Sequence, residues 1–117
     1  MAHPTKSKFL QLFERDQGRY VYCGLDLKAD YDRFMMATED HLVPASIVGK
    51  GRDLDNLILS CSVCNRLKGN FVPEPTIDPK LERRRYIAAV RAHIMSRRSE
   101  RLKDFMQVTH PGQLDYQ

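Results

Sequence analysis

Long apolar stretches are missing from this sequence of 117 residues. No run approaches the roughly 20 apolar residues of a membrane-spanning helix, and no apolar segment typical of a signal peptide follows Met1. There is also no internal repeat and no low-complexity tract. We therefore expect a protein without a membrane anchor that works inside the cell, in the cytoplasm or, for a phage protein, in the cytoplasm of the host.

Cysteine is scarce, and the number of cysteines is odd. The three are Cys23, Cys61 and Cys64, and the last two form a Cys-x-x-Cys pair. An odd count without a secretion signal does not indicate a disulfide framework. Metal ligation in a reducing compartment is the better interpretation of these thiols.

Neither the length nor the charge is extreme. A chain of 117 residues suits a single domain, 1–117, with a modest core that a structural metal would support. Apolar residues make up 42% and charged residues 29%, which is ordinary for a folded soluble domain. The formal net charge of +4 is compatible with a polyanionic partner, but a solubilising surface explains it equally well.

The first 70 residues predict short elements of mixed type. The expected elements are an amphipathic helix over 5–17 ended by Gly18, β-formers at 20–22 before a Cys23-Gly24 turn, a strand over 33–39, a loop over 42–53, a strand at 57–59, and a helix capped by Ser60 or Ser62 that runs to about Lys68. Gly69 is placed to end that last helix.

A long helix is predicted for the C-terminal part of the chain, 78–108. A proline-containing linker over 71–79 leads into Asp78-Pro79, a good N-cap and first helical residue. Apolar residues from Ile87 to Met106 fall on one helical face, and arginines and Lys103 occupy much of the rest. Those cations form either a phosphate-contacting face or a solvated face shielded by neighbouring acids.

The Cys61-x-x-Cys64 pair alone fits several sites. Half of a zinc site, a redox pair, a deaminase zinc site and two inert buried thiols all use this spacing. A deaminase needs His-x-Glu, whereas His41 is followed by Leu42 and Val43. No histidine pair follows for a zinc finger, and no thioredoxin-like βαβ pattern surrounds the cysteines.

The motifs become specific in combination. Asp40-His41-x-x-Pro44 is followed by Asn56-Leu57 and then by Cys61-x-x-Cys64-Asn65-x-x-Lys68-Gly69. This order and spacing resemble the HNH endonuclease family over about residues 18–70. The resemblance implies an α+β fold, with a ββα-metal core between an N-terminal helix and a long C-terminal helix.

The resemblance also implies a role for each motif residue. His41 corresponds to the general base that takes a proton from water. Asp40 and Asn65 correspond to oxygen ligands of Mg²⁺ or Mn²⁺. Asn56 corresponds to the residue that ties the loop and holds His41. Phosphate contacts are expected from the cations of the last motif, Arg66 and Lys68.

One feature departs from the family pattern. Zinc-bearing members place a second Cys-x-x-Cys in the first turn, but here Tyr20 precedes Cys23. A structural Zn²⁺ on Cys23, Cys61 and Cys64 would then need a fourth ligand, such as water or Asp26. Otherwise the Tyr20 ring packs over an empty site.

The sequence therefore predicts a metal-dependent endonuclease that acts on nucleic acid, with DNA favoured over RNA. Joint presence of Asp40, His41 and Asn65 favours it over the alternative, a non-catalytic zinc-knuckle module that binds nucleic acid or protein. A thiol redox protein is a third hypothesis. The long helix leaves homodimer formation open.

Overall fold

The computed structural model describes residues 6–49, 51 and 53–112, and within them helices surround a two-stranded sheet. In chain order the elements are α1 (Lys8–Arg15), α2 (Tyr31–Met35), β1 (Ala37–His41), α3 (Ala45–Val48), a 3-10 turn (Leu54–Asn56), β2 (Leu57–Cys61), α4 (Ser62–Lys68) and α5 (Arg83–Thr109). The predicted α+β class, with an N-terminal helix and a long C-terminal helix, is confirmed.

The centre of the molecule is the antiparallel pair β1 and β2. Its register runs from Ala37 opposite Cys61 to His41 opposite Leu57. Every residue of β2 is buried, as the continuous apolar run Leu57-Ile58-Leu59 predicts. Because α4 follows β2 without a loop, the order strand, strand, helix is formed as expected.

The N-terminal segment covers one side of this core. Ser7 caps α1 through a bond from the Leu10 N–H to its hydroxyl, 3.1 Å long. α1 ends at Arg15, two residues earlier than predicted, and Gln17 and Gly18 follow it with positive φ of 57° and 67°. Thr5, the predicted first residue of the helix, lies outside the described residues. The next segment turns back on itself, with Arg19 bridged to Asp26.

The predicted strand over 33–39 is wrong in its first half. Residues 33–35 belong to α2, because the Asp30 carboxylate accepts a bond from the Arg33 N–H at 2.7 Å and so starts a helical turn. The strand begins only at Ala37 and continues to His41. The predicted loop over 42–53 contains the one-turn helix α3.

The start of α4 also differs from the prediction. Neither Ser60 nor Ser62 caps it; the cap is Cys61, whose sulfur accepts a bond from the Cys64 N–H at 3.3 Å. Ser60 instead bonds to the Cys61 carbonyl within the strand. Gly69, with a φ of 55°, ends the helix where the sequence predicted.

α5 has 27 residues and is therefore about 40 Å long. It begins at Arg83 rather than at Pro79, because the Asp78 carboxylate binds the N–H groups of Lys80 and Leu81 and closes a separate turn. Its first half packs on the core, and His93 stacks on Phe71 with 3.9 Å between ring centroids. Among the described residues no helix combines the length and apolarity that crossing a bilayer requires.

The core joins the N-terminal segment, the sheet, α4 and the first half of α5. Its buried apolar members are Leu12, Tyr20, Tyr22, Leu27, Leu42, Leu57, Ile58, Leu59, Cys61, Cys64, Leu67, Ile77, Tyr86, Val90 and Ile94. The last of these on α5 is Ile94, so the helix leaves the core at about its midpoint.

Candidate active site and thiol cluster

The Asp40-His41 pair lies at the end of β1. Successive side chains of a strand point to opposite faces, so Asp40 and His41 diverge. Asp40 is buried on the side of α4, whereas His41 is only half-buried. One residue can therefore act in a desolvated environment while its neighbour meets solvent.

The His41 ring is oriented by the loop that follows β1. Its Nε2 atom lies 2.9 Å from the Gly51 carbonyl oxygen. Because a carbonyl oxygen only accepts, Nε2 carries a proton in this arrangement. In the neutral ring the lone pair then sits on Nδ1, which has no hydrogen-bond partner among the described residues.

Asn56 closes the same loop at its base. Its Oδ1 accepts from the Val43 N–H at 2.8 Å, and its Nδ2 donates to the Val43 carbonyl at 3.0 Å. The Leu42 N–H donates to the Asn56 carbonyl at 2.8 Å. These three bonds fix the chain directly after His41, which is the positioning role that the resemblance implied for Asn56.

A polar seam, formed by Thr38 and Asp40 of β1 with Asn65 and Lys68 of α4, runs between the two elements. The Lys68 ammonium lies 3.1 Å from Asp40 Oδ2 and donates to the His41 carbonyl at 2.7 Å. Its side chain is 2% exposed, so it is occupied and out of reach of solvent. The phosphate contact predicted for Lys68 stays a prediction, but this geometry gives its ammonium two partners inside the protein.

Asn65 lies one turn before Lys68 on the same face of α4. Its Nδ2 donates to Thr38 Oγ1 at 3.4 Å, and the Thr38 hydroxyl donates to the Ser60 carbonyl at 2.7 Å. No described residue donates a bond to the Asn65 amide oxygen. Both oxygen-bearing residues predicted as ligands, Asp40 and Asn65, are thus brought to one seam. Arg66 points away from it and is exposed.

Burial dominates the electrostatics of Asp40. Desolvation raises the pKa of its carboxyl, and the nearby Lys68 charge opposes the rise. Lys68 is the ionic partner of Oδ2, yet no described donor gives this buried oxygen a well-directed hydrogen bond. A buried carboxylate oxygen with spare acceptor capacity fits a hard divalent cation.

Two buried tyrosines near this carboxylate were not found by sequence reasoning. The hydroxyls of Tyr22 and Tyr86 have no hydrogen-bond partner among the described residues. Burial and the Asp40 charge raise the pKa of Tyr22, so its phenol stays neutral. For Tyr22 the sequence predicted only a preference for β structure. No local signal places Tyr86 of α5 beside the sheet.

The three cysteines form a second group, the thiol cluster. Their sulfurs lie within 4.8 Å of one another, and Cys23 Sγ is 3.9 Å from Cys61 Sγ. Hydrogen bonds from the Cys23 and Cys64 thiols lower the pKa of Cys61, which is therefore the first of the three to ionise. Three converging sulfurs, one of them readily ionised, fit a thiophilic metal such as Zn²⁺.

Tyr20 and Asp26 do not complete the thiol cluster. Burial raises the pKa of Tyr20 to about 12, and its hydroxyl donates to the Arg33 carbonyl. Asp26 is bound to the backbone and side chain of Lys28. Within residues 6–49, 51 and 53–112 no histidine or carboxylate joins the three sulfurs.

A cavity of about 600 Å³ lies on another side of the loop after β1. Val43, Gly51 and Asn56 contribute to its wall, together with Arg15 and Arg83. None of His41, Asp40 and Asn65 lines it. The candidate reaction site at the end of β1 is therefore separate from this cavity.

The family model for HNH endonuclease matches residues 21–71 of this chain. The resemblance inferred from the motifs is thereby confirmed over these residues. The matched family is one of endonucleases.

A particular relative is also matched: the CRISPR-associated endonuclease Cas9 of Listeria innocua serovar 6a. It is 36% identical to this chain over 76 residues, which cover 61% of the chain and 6% of that protein. The chain thus corresponds to a small part of its relative. No solved structure matches it significantly.

Proposed function

We propose that this protein is a metal-dependent endonuclease that hydrolyses phosphodiester bonds in DNA. The observation that carries the proposal is the orientation of His41, whose Nε2 is held by the Gly51 carbonyl beside a seam that brings together Asp40 and Asn65. His41 and Asp40 come from β1, Asn65 comes from α4, and Gly51 and Asn56, which support His41, come from the segment between the two strands.

In this mechanism His41 takes a proton from the attacking water at Nδ1. The fixed Nε2–H bond keeps the ring in one tautomer and one orientation, and Asn56 holds the backbone that follows it. A positioned base of this kind contributes roughly 10²–10⁴-fold to the rate. The water oxygen bonds to phosphorus while the leaving oxygen departs and takes a proton from solvent.

Asp40 and Asn65 would hold the divalent cation, Mg²⁺ or Mn²⁺, through oxygen atoms. When bound, the cation supplies charge that polarises the phosphate and stabilises the leaving oxygen. Lys68 has a positioning role here, because it contacts Asp40 Oδ2 and the His41 carbonyl at once. Arg66, exposed on the same helix, is available to contact substrate phosphate.

The three free thiols support a reducing compartment inside the cell as the working environment. We assign the thiol cluster a structural role with Zn²⁺ and no part in the cleavage step. Its sulfurs are donors of a different kind from the oxygens of the seam, so the two sites would select different metals.

The test is incubation of supercoiled plasmid with the pure protein in Mg²⁺, in Mn²⁺ and in EDTA. The parent is expected to nick or linearise the plasmid only with metal. His41→Ala is expected to lose at least about 100-fold of this activity while it still binds the plasmid. His110→Ala, which changes an exposed histidine far along the chain, is the matched control and is expected to cut like the parent.

A single-stranded RNA incubated under the same conditions separates the two substrates. Cleavage of RNA but not of plasmid would contradict the DNA assignment. If the parent binds plasmid in every condition and cuts neither substrate, the protein is a binding module and not a nuclease. Equal cutting by His41→Ala and the parent would refute the role of His41.

A further inference from the structure

Positive charge is concentrated on one helix of this protein. α5 carries seven arginines and one lysine against two acids, Glu100 and Asp104, which leaves six net positive charges. The whole chain has a formal charge of only +4, so all other residues together sum to −2. The part that holds the candidate active site therefore has no net attraction for a polyanion, whereas α5 has a strong one.

Three of these arginines form a row along α5. Arg84, Arg91 and Arg98 are seven residues apart, so they lie on nearly the same side of the helix with a rise of about 10 Å between neighbours. All three are exposed, and none has a hydrogen-bond or ion-pair partner in the part of the chain that the structure describes. By contrast, Arg85 and Arg101 are paired with nearby acids.

The helix is also accessible beyond its midpoint. Ile94 is its last buried residue, and the positions that continue the buried side are Arg97 and Arg101. Leu102 and Phe105 are 56% and 59% exposed, which would also suit contact with a second copy. Such a dimer would set two helices of six positive charges side by side, so a polyanion is the more favourable occupant.

We propose that the row Arg84, Arg91 and Arg98 contacts the phosphate backbone of double-stranded DNA. This inference rests on the proposed nuclease function and adds where that function obtains its affinity for substrate. When an arginine neutralises a DNA phosphate, the DNA releases a condensed counterion, which favours binding. Because these three arginines have no acidic partner in the described part of the protein, they break no ion pair when they bind. An acidic protein is the competing occupant.

The experiment compares two variants of equal net charge. One replaces the row, Arg84→Gln, Arg91→Gln and Arg98→Gln; the other replaces three exposed cations outside α5, Lys6→Gln, Arg19→Gln and Arg33→Gln. Affinity for a fluorescent DNA duplex is measured in EDTA over a range of salt concentrations, so that binding is followed without cleavage. Thermal melting by circular dichroism checks that each variant is folded.

The row variant is expected to bind more than about tenfold more weakly at low salt, and the slope of log affinity against log salt is expected to fall by about three. The other variant is expected to stay within about twofold of the parent. Equal losses in both variants, or no loss in either, would overturn the proposal. So would a parent without affinity for the duplex.

Fluorescent polyglutamate is measured in parallel with the duplex. If the parent binds it as tightly as DNA at the same salt, and the row variant loses both equally, the surface is a docking site for acidic protein and the proposal is overturned. Binding in EDTA is separate from cleavage. A protein that binds DNA through the row but leaves plasmid uncut refutes the nuclease function and keeps this inference.

Discussion

At the scale of single residues, Lys68 is a buried charge with partners inside the protein. Its ammonium is removed from water and is compensated by the Asp40 carboxylate and the His41 carbonyl. Removing one partner of a buried ion pair usually costs about 3–5 kcal/mol, because the remaining charge is left without compensation. Both side chains are nearly inaccessible, so screening by solvent reduces this value little.

Lys68→Met is therefore expected to lower the free energy of unfolding by about 3 kcal/mol, measured by urea denaturation followed by circular dichroism. Arg66→Met, an exposed change two residues away on the same helix, is the control and is expected to stay within about 0.5 kcal/mol. Adding Asp40→Asn to Lys68→Met is expected to recover part of the loss. Simple additivity of the two changes would show that the pair does not interact.

The sequence predicted part of this environment only. Asp40, His41, Asn56 and Asn65 were found because their spacing along the chain resembles a known motif. The burial of Lys68 depends on how α4 crosses β1, a tertiary relation that no local pattern encodes. The same holds for Tyr86, which lies near Tyr22 but belongs to α5, a separate helix later in the chain.

At the scale of elements, the turn over residues 19–26 and the start of α4 together build the thiol cluster. Tyr20 occupies the position at which the resemblance to zinc-bearing HNH proteins predicts a cysteine. Its ring is buried in the core. The turn itself is formed as a knuckle would be, with the Gly24 N–H bonded to the Tyr20 carbonyl at 2.8 Å. What is absent is the fourth sulfur and not the backbone that would present it.

Tyr20→Cys is expected to bind Zn²⁺ at least about tenfold more tightly than the parent, since Zn²⁺ prefers four ligands. The variant is expected to melt lower than the parent without metal, because a buried ring is lost, and to gain more stability when Zn²⁺ is added. Competition with a chromogenic chelator gives the affinity, and melting with and without Zn²⁺ gives the stability.

Tyr20→Ser removes the same ring without adding sulfur and is the control. It is expected to show the loss of stability without the gain in Zn²⁺ affinity. If Tyr20→Cys binds Zn²⁺ no better than Tyr20→Ser, residues 20–24 are not a zinc knuckle. That outcome would leave the oxygen ligands of the polar seam unaffected.

Elements with a strong local signal were predicted well, and those decided by competing signals were not. β2 and the end of α4 follow from an apolar run and from Gly69. The apolar residues Phe34 to Met36 favoured a strand, but the Asp30 cap overrode them. At α5 the Asp78 cap was identified correctly, yet it closes a turn of its own and the helix starts four residues after Pro79.

At the scale of the whole molecule, the protein is a small core with a projecting helix. The principal extents are 67 × 38 × 21 Å, and α5 alone accounts for about 40 Å of length. The buried residues of α5 all lie between Tyr86 and Ile94. Stability therefore resides in the core and the first half of α5, whereas the second half is free to serve binding.

A chain that ends at Glu100 is accordingly expected to melt within a few degrees of the parent, because the described part of the removed segment has no fully buried residue. A chain that ends at Ala89 is the contrasting case, since it loses Val90 and Ile94 from the core and is expected to be largely unfolded. Thermal denaturation followed by circular dichroism compares the two. A large drop in melting temperature for the longer chain would mean that the end of α5 packs against the rest.

The seven-residue helix α4 has a thermodynamic consequence for the whole domain. Its cap is the Cys61 sulfur, Cys64 lies in its first turn, and Asn65 and Lys68 follow on the same element. The two metal sites proposed here are thus attached to one short rigid body. Any coupling between them is reciprocal: the factor by which an ion at the sulfurs changes affinity at the oxygens equals the factor in the opposite direction. Titrating either ion while the occupancy of the other is followed would measure the same free energy twice.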